Sequence, residues 1–118
     1  TSRVLLGTSV LVLPMRHPLY VAKIAATIDA LAPGRVQLAV GAGWWKEEFE
    51  LLDQRFEQRG RRMDEQIDIL NLAWTQSPFE YHGEFYDFAP LHCRPLPAPG
   101  GRPRVFIGGM GAPALRRL

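Results

Sequence analysis

The residues best placed to do chemistry are the small ones that end or interrupt three apolar segments. Gly41-Ala42-Gly43 follows Val36–Val40, and Gly108-Gly109 follows Val105–Ile107. Thr8-Ser9-Val10 sits inside an apolar run from Val4 to Val12. In parallel α/β folds a ligand binds beyond the carboxyl ends of the strands, where glycine lets backbone approach it closely. Gly108-Gly109 ahead of a helix at Ala112 is a ready phosphate cradle. Gly41-Ala42-Gly43 could aim backbone N–H groups at an anion or a ring edge, although Gly-x-Gly alone is a common turn.

The remaining reactive residues say less. Trp44 could line an apolar substrate pocket or simply pack, and Glu47, one helical turn on, could face the same cleft or make a surface ion pair. His17 precedes Pro18 and reads as a helix cap or loop-packing residue, His82 as a turn residue, and His92 as uninformative. The three histidines lack metal-ligand spacing, so no metal site is expected. Cys93 stands alone, which excludes an internal disulfide and fits a reducing compartment. No phosphate-binding Walker loop, Gly-x-Ser-x-Gly elbow or His-Glu-x-x-His is present. Nothing supplies an obvious nucleophile or a catalytic carboxylate pair.

Three parallel strands and the helices between them must position these tips. Val4–Val12 is apolar on both faces, as in a sheet covered by helices. Pro18 suits the first turn of a helix, and Val21, Ile24, Ala25, Ile28 and Leu31 then follow helical spacing, with Lys23, Thr27 and Asp29 off the stripe. Pro33-Gly34 ends that helix. After the second strand a short helix begins near Trp44 or Trp45, with Trp45, Phe49 and Leu52 as its apolar face. A longer helix is expected from about Arg62 to Thr75, with Met63, Ile67, Leu70 and Trp74 on one side. Phe79–Tyr81 and Glu84–Phe88 flank His82-Gly83 as a hairpin whose tight turn uses a positive φ at glycine. Prolines crowd 90–103, which reads as a loop. A third parallel strand spans Val105–Ile107, and a helix starts between Ala112 and Leu118.

Composition bounds the rest. At 118 residues the chain is at most one domain, and 47% hydrophobic with 22% charged residues is globular. A net charge of +2 gives no electrostatic case for nucleic acid, and the charges from Lys46 to Glu65 interleave as on a solvated helical face. No apolar run is long enough to span a bilayer, and none resembles a signal peptide. A cytoplasmic protein without nucleic-acid or membrane partners is the expectation.

Six stretches in order resemble the luciferase-like monooxygenase superfamily. They are Leu6–Pro18, Ala22–Leu31, Gly34–Phe49, Phe56–Glu65, Tyr81–Tyr86 and Phe106–Gly109. The likeness looks closest to the branch of oxidoreductases that use a deazaflavin, coenzyme F-420. It implies an α/β fold: an incomplete (β/α)8 TIM-barrel fragment, residues 1–118, with about three parallel strands, helices, and 79–103 as an inserted β-hairpin and proline-rich loop. Such barrels run to about 250 residues. The resemblance further implies a bulge with a non-proline cis peptide at Ser9-Val10 that backs the deazaflavin ring. It assigns cofactor contact to Ser9, Val10, Ala42, Gly43, Gly108 and Gly109, the last two at the phosphate-bearing tail. Where sugar-phosphate dehydrogenases of the branch carry a catalytic glutamate, this sequence has Trp44, so that chemistry is not expected. The implied activity is hydride transfer between coenzyme F-420 and a small organic substrate, with the catalytic acid or base outside this chain. Alternatives are an FMN-dependent monooxygenase of the same superfamily and a non-catalytic cofactor-binding relative. The full-length protein could form a homo-oligomer.

Overall fold

The computed structural model describes residues 2–99 and 101–117. Two interrupted edge segments, β1 (Leu6–Gly7) and β2 (Leu11–Val12), both pair in parallel with β3 (Val36–Gly41), and β6 (Arg104–Ile107) pairs in parallel with the other edge of β3. This is the expected α/β arrangement, with β3 at its centre. Leu6 opposes Val36 and Gly7 opposes Gln37, but Leu11 opposes Val40. Three residues, Thr8 to Val10, therefore lie opposite two, Leu38 and Ala39, so Thr8–Val10 holds one extra residue, a β-bulge. The Ser9–Val10 peptide is cis, as the resemblance implied. Thr8 Oγ1 donates to the Ala39 carbonyl (2.6 Å), which secures the bulge to the central strand.

Helix α1 (Pro18–Leu31) links β2 to β3 after a 3-10 turn at Leu13–Met15. Its buried face is not the expected stripe. Val21, Ala22, Ala25, Ala26 and Asp29 face inward, while Ile24 and Ile28 are 43% and 39% exposed and Leu31 is exposed. The small alanines allow close approach to α3 (Arg59–Thr75), and Trp74 Nε1 donates to the Ala22 carbonyl (3.0 Å). Ile24 and Ile28 overhang the sheet edge. With Leu5, Leu6 and Leu11 they line an apolar groove of about 690 Å³.

Asp29 is fully buried because it caps the chain behind α1. Its Oδ1 accepts the Gly34 N–H (3.1 Å) and its Oδ2 the Ala98 N–H (3.0 Å), so it ties the helix end to the proline-rich loop. Gly34 has φ 69°, the left-handed stop that Pro33-Gly34 foretold.

Helix α2 (Lys46–Leu51) buries Phe49 alone, and Trp45 and Leu52 remain exposed, contrary to the expected three-residue face. One turn and a half contributes a single inward position here, and Phe49 takes it against Phe56 (ring centroids 5.3 Å apart). Helix α3 starts three residues earlier than expected. It buries Met63, Gln66, Ile69, Leu70, Ala73 and Trp74, and Ile67 is half-buried.

Strands β4 (Phe79–His82) and β5 (Asp87–Leu91) form the expected antiparallel hairpin. Its loop is not a two-residue turn with a positive-φ glycine. It runs from Gly83 to Tyr86, and Gly83 is not among the positive-φ residues. The carboxylate of Glu65 holds this loop, accepting the N–H groups of Glu84 (2.7 Å), Phe85 (3.0 Å) and Tyr86 (3.2 Å). A side chain on Gly83 would collide with that carboxylate. After β6 the last described helix, α4, is only Ala112–Leu115. Gly100 in the proline-rich loop and Leu118 at the expected helix end lie outside the described residues.

Packing of α1 and α3 on one face of the sheet, with the hairpin beyond α3, makes the core: Leu13, Val21, Ala22, Leu38, Val40, Met63, Ile69, Leu70 and Trp74 belong to one buried cluster. The opposite face has no helix on it among the described residues. Phe106 is 46% exposed there, so the strands are covered on one side rather than two. No described helix is long and apolar enough to cross a membrane.

Candidate functional site

The three strand tips meet. Val10, Val12, Gly41, Ala42, Gly43, Gly108 and Gly109 all line one cavity of about 530 Å³ at the carboxyl edge of the parallel sheet. Parallel pairing on both sides of β3 forces this convergence, because every strand then ends on the same rim. The approach is tight. A Cβ built on Gly108 would lie 3.1 Å from Val10 Cγ1, and one on Gly43 would lie 2.7 Å from Val12 Cγ1. Gly43 (φ 81°) and Gly109 (φ 138°) take backbone conformations that side-chain-bearing residues rarely adopt. Gly108 N donates to the Val40 carbonyl (2.7 Å), which continues the sheet pairing up to the rim.

Of the residues assigned from the sequence, Val10, Ala42, Gly43, Gly108, Gly109 and Trp44 line this cavity; Ser9 sits in the bulge beneath it and is not a lining residue. Trp44 is 83% exposed at its mouth, its indole stacked on Trp45 at 6.3 Å. Glu47 is exposed and does not line the cavity.

Sequence reasoning missed Arg59, Met63, Pro113, Ala114 and Arg117, which complete the wall. The charges from Lys46 to Glu65 are not one solvated face. Arg59 is part-buried: its Nε donates to the Gly43 carbonyl (3.1 Å), its Nη1 to the Phe56 carbonyl (3.0 Å), and it stacks on the Phe56 ring at 3.8 Å. Among the described residues no carboxylate pairs with it, so its charge is available to an anion. Arg62 likewise turns inward, over Phe85 at 4.7 Å. The available signal was Arg59 following directly on Phe56-Glu-Gln, at the start of a long helix that must return across the rim.

The histidines and the cysteine stand away from the cavity. His17 packs edge-on against Tyr86 (5.5 Å), and His92 Nδ1 bonds Ser77 Oγ (3.0 Å). His82 is the last residue of β4, with Nδ1 2.6 Å from Asp87 Oδ1, and this hydrogen bond raises its pKa above the usual histidine value. Burial pushes the Cys93 thiol up despite nearby Lys23, so it is a packing residue and not an activated nucleophile. No group of three His, Cys, Asp or Glu gathers to hold a metal among the described residues.

Residues 1–118 match the family model of the luciferase-like monooxygenases from end to end. The chain belongs to that luciferase-like family. An uncharacterized protein of Mycobacterium tuberculosis is 42% identical over 117 residues, covering 99% of this chain and 40% of that protein. The FMNH(2)-dependent dimethylsulfone monooxygenase of Pseudomonas putida is 38% identical over 95 residues, 78% of this chain and 26% of that enzyme. The luciferase-like chain thus spans two-fifths or less of these relatives. Among solved structures, monooxygenase RslO1 of Streptomyces bottropensis superposes with TM-score 0.83 at 27% identity, over 91% of this chain and 32% of its own. An F420-dependent secondary alcohol dehydrogenase superposes with TM-score 0.77 at 24% identity, over 99% and 36%, a likeness of fold. Both are luciferase-like TIM-barrel enzymes, and this chain has the fold of part of such a barrel.

Proposed function

We propose that this chain carries a flavin-type cofactor site of an oxidoreductase, and that the cofactor is the deazaflavin coenzyme F-420 in hydride transfer with a small organic substrate. One observation carries the reading: three glycine- or bulge-bearing strand tips form one cavity with an apolar floor and a charged rim. The residues present fit such a group. Val10, Val12, Ala42, Met63 and Ile107 offer an apolar wall for a planar ring. Backbone N–H groups near Gly43 and Gly109, with the Arg59 guanidinium that no carboxylate pairs among the described residues, suit an anionic tail. Gly41 leaves the rim open, since a Cβ there would meet only the Gly108 carbonyl, at 3.9 Å.

When bound, the cofactor supplies the hydride chemistry. The chain's own part is to hold and orient. The bulge at Thr8–Val10, secured by the Thr8 hydroxyl, presents Val10 to the ring. Arg59 is itself held by the Gly43 and Phe56 carbonyls, so the cation comes preorganised and little side-chain entropy remains to be lost on binding. Trp44, exposed at the mouth, gives the substrate an apolar wall; among the described residues no carboxylate or histidine lines the cavity beside it.

A second reading is an FMN-dependent monooxygenase, favoured by the 38% identity to an FMNH(2)-dependent enzyme. Titration of the full-length protein with coenzyme F-420 and with FMN separates the two. Micromolar binding of the first alone supports hydride transfer, and preference for FMN supports the monooxygenase. Binding of neither contradicts both and favours a non-catalytic relative.

A further inference from the structure

We propose that Arg117 is a positioning residue of this cavity: it fastens the turn between β6 and α4 to α3, and so keeps Gly109 facing Gly43 across the cofactor site. The inference rests on the functional reading above, and it concerns a residue that touches no reacting group.

Gly108, Gly109, Gly111, Pro113 and Ala114 form one side of the cavity. Among the described residues, Ala112, Pro113 and Leu115 of this segment are exposed. Beyond the Gly108 N–H bond to β3, the described hydrogen bonds that tie this segment to the rest of the chain all come from Arg117. Its Nε and Nη2 donate to the two carboxylate oxygens of Asp64 (Nη2 to Oδ2, 3.0 Å), and Nη2 also reaches the Gly60 carbonyl (3.1 Å). Its Nη1 donates back to the Pro113 carbonyl (2.8 Å). One planar fork therefore grips α3 through Asp64 and Gly60, and the cavity wall through Pro113. Only arginine has the donors to do this at once.

Two glycines are fitted to the clasp. A Cβ on Gly60 would lie 3.2 Å from Arg117 Nη2, so a bare backbone there leaves the guanidinium its berth. A Cβ on Gly109 would lie 2.9 Å from Ala114 Cβ, so the turn folds back hard on α4. The Arg117 side chain is 17% exposed and that of Asp64 50%, so the clasp is sheltered from water on the arginine side and open on the carboxylate side.

The test uses the full-length protein and the variants Arg117→Met, Arg117→Lys and Asp64→Asn. Affinity for coenzyme F-420 and FMN is titrated, and hydrogen exchange is followed at Gly108–Ala114. Arg117→Met should weaken cofactor binding about tenfold, a typical coupling between touching groups, and speed exchange in that segment. Arg117→Lys should not restore either, because charge without the fork cannot reach three partners. Asp64→Asn should fall between, and it serves if the methionine variant fails to fold. Unchanged affinity together with unchanged exchange in a folded variant overturns the proposal. If the unsubstituted protein binds neither cofactor, the functional reading fails by itself, and the exchange rates still decide the clasp.

Discussion

Gly43 and Phe49 stand so close that a Cβ on the glycine would lie 2.9 Å from Cε2 of the phenylalanine. The only fully buried large side chain of α2 thus packs directly under the rim of the cavity, and it reaches there because Gly43 has no side chain. Gly43→Ala should overpack this contact and the one to Val12 while forcing alanine to φ 81°. A loss of about 1–3 kcal/mol follows. Urea unfolding of the variant beside the parent protein measures it; an unchanged midpoint would mean that the rim is looser than described.

Asp29 provides a separate check on the scaffold. Its carboxylate satisfies two backbone N–H groups in a fully buried position. Asp29→Ala strands both and should cost about 2 kcal/mol. Asp29→Asn keeps one acceptor oxygen and should lose less. Equal stabilities of the two variants by denaturant titration would contradict the capping role.

This residue also shows where the sequence misled. Helical spacing placed α1 and its ends correctly, yet Asp29 reads as solvent-facing, and Ile24 and Ile28 read as core. Periodicity finds an apolar stripe, but α1 lies at a sheet edge and packs on α3 through alanines, so the large aliphatics overhang. The strands and the convergence of their tips were legible, because glycine and turn chemistry mark strand ends locally; the bulge at Ser9-Val10 came from the family resemblance and not from the residues themselves. Arg59 and Arg117 were not legible. Arg59 is held by the Gly43 and Phe56 carbonyls, and Arg117 by the Asp64 carboxylate and the Gly60 and Pro113 carbonyls; Gly43, Asp64 and Gly60 come from elsewhere in the fold, and no spacing within a helix encodes that. The Gly83 turn was misread for a similar reason: its conformation is set by the Glu65 carboxylate, eighteen positions away in sequence.

His82 reports on the hairpin. Its hydrogen bond to Asp87, and then the field of that carboxylate and the neighbouring Glu80, hold its pKa above 6.5. A raised folded-state pKa means that the pair stabilises the hairpin fully below 6.5. That contribution is lost as pH rises through the folded-state value. An NMR titration of the His82 ring should show the raised midpoint, and Asp87→Asn should return it toward 6.5. An ordinary midpoint in the parent protein would remove the pair.

Cys93 is buried and its thiol is pushed up by that burial. In the native protein it should resist a thiol-specific disulfide reagent at neutral pH, and react once urea unfolds the chain. Fast native-state labelling would show a more open proline-rich loop.

The account stands most directly on where the cofactor sits. Hydrogen exchange of the full-length protein, with and without bound coenzyme F-420 or FMN, reads this at the backbone. Protection should appear together at Val10, at Ala42-Gly43 and at Gly108-Gly109. Protection along Leu5–Thr8 and Tyr20–Ile28, with the three tips unchanged, would put the ligand in the apolar groove at the sheet edge and contradict the shared site.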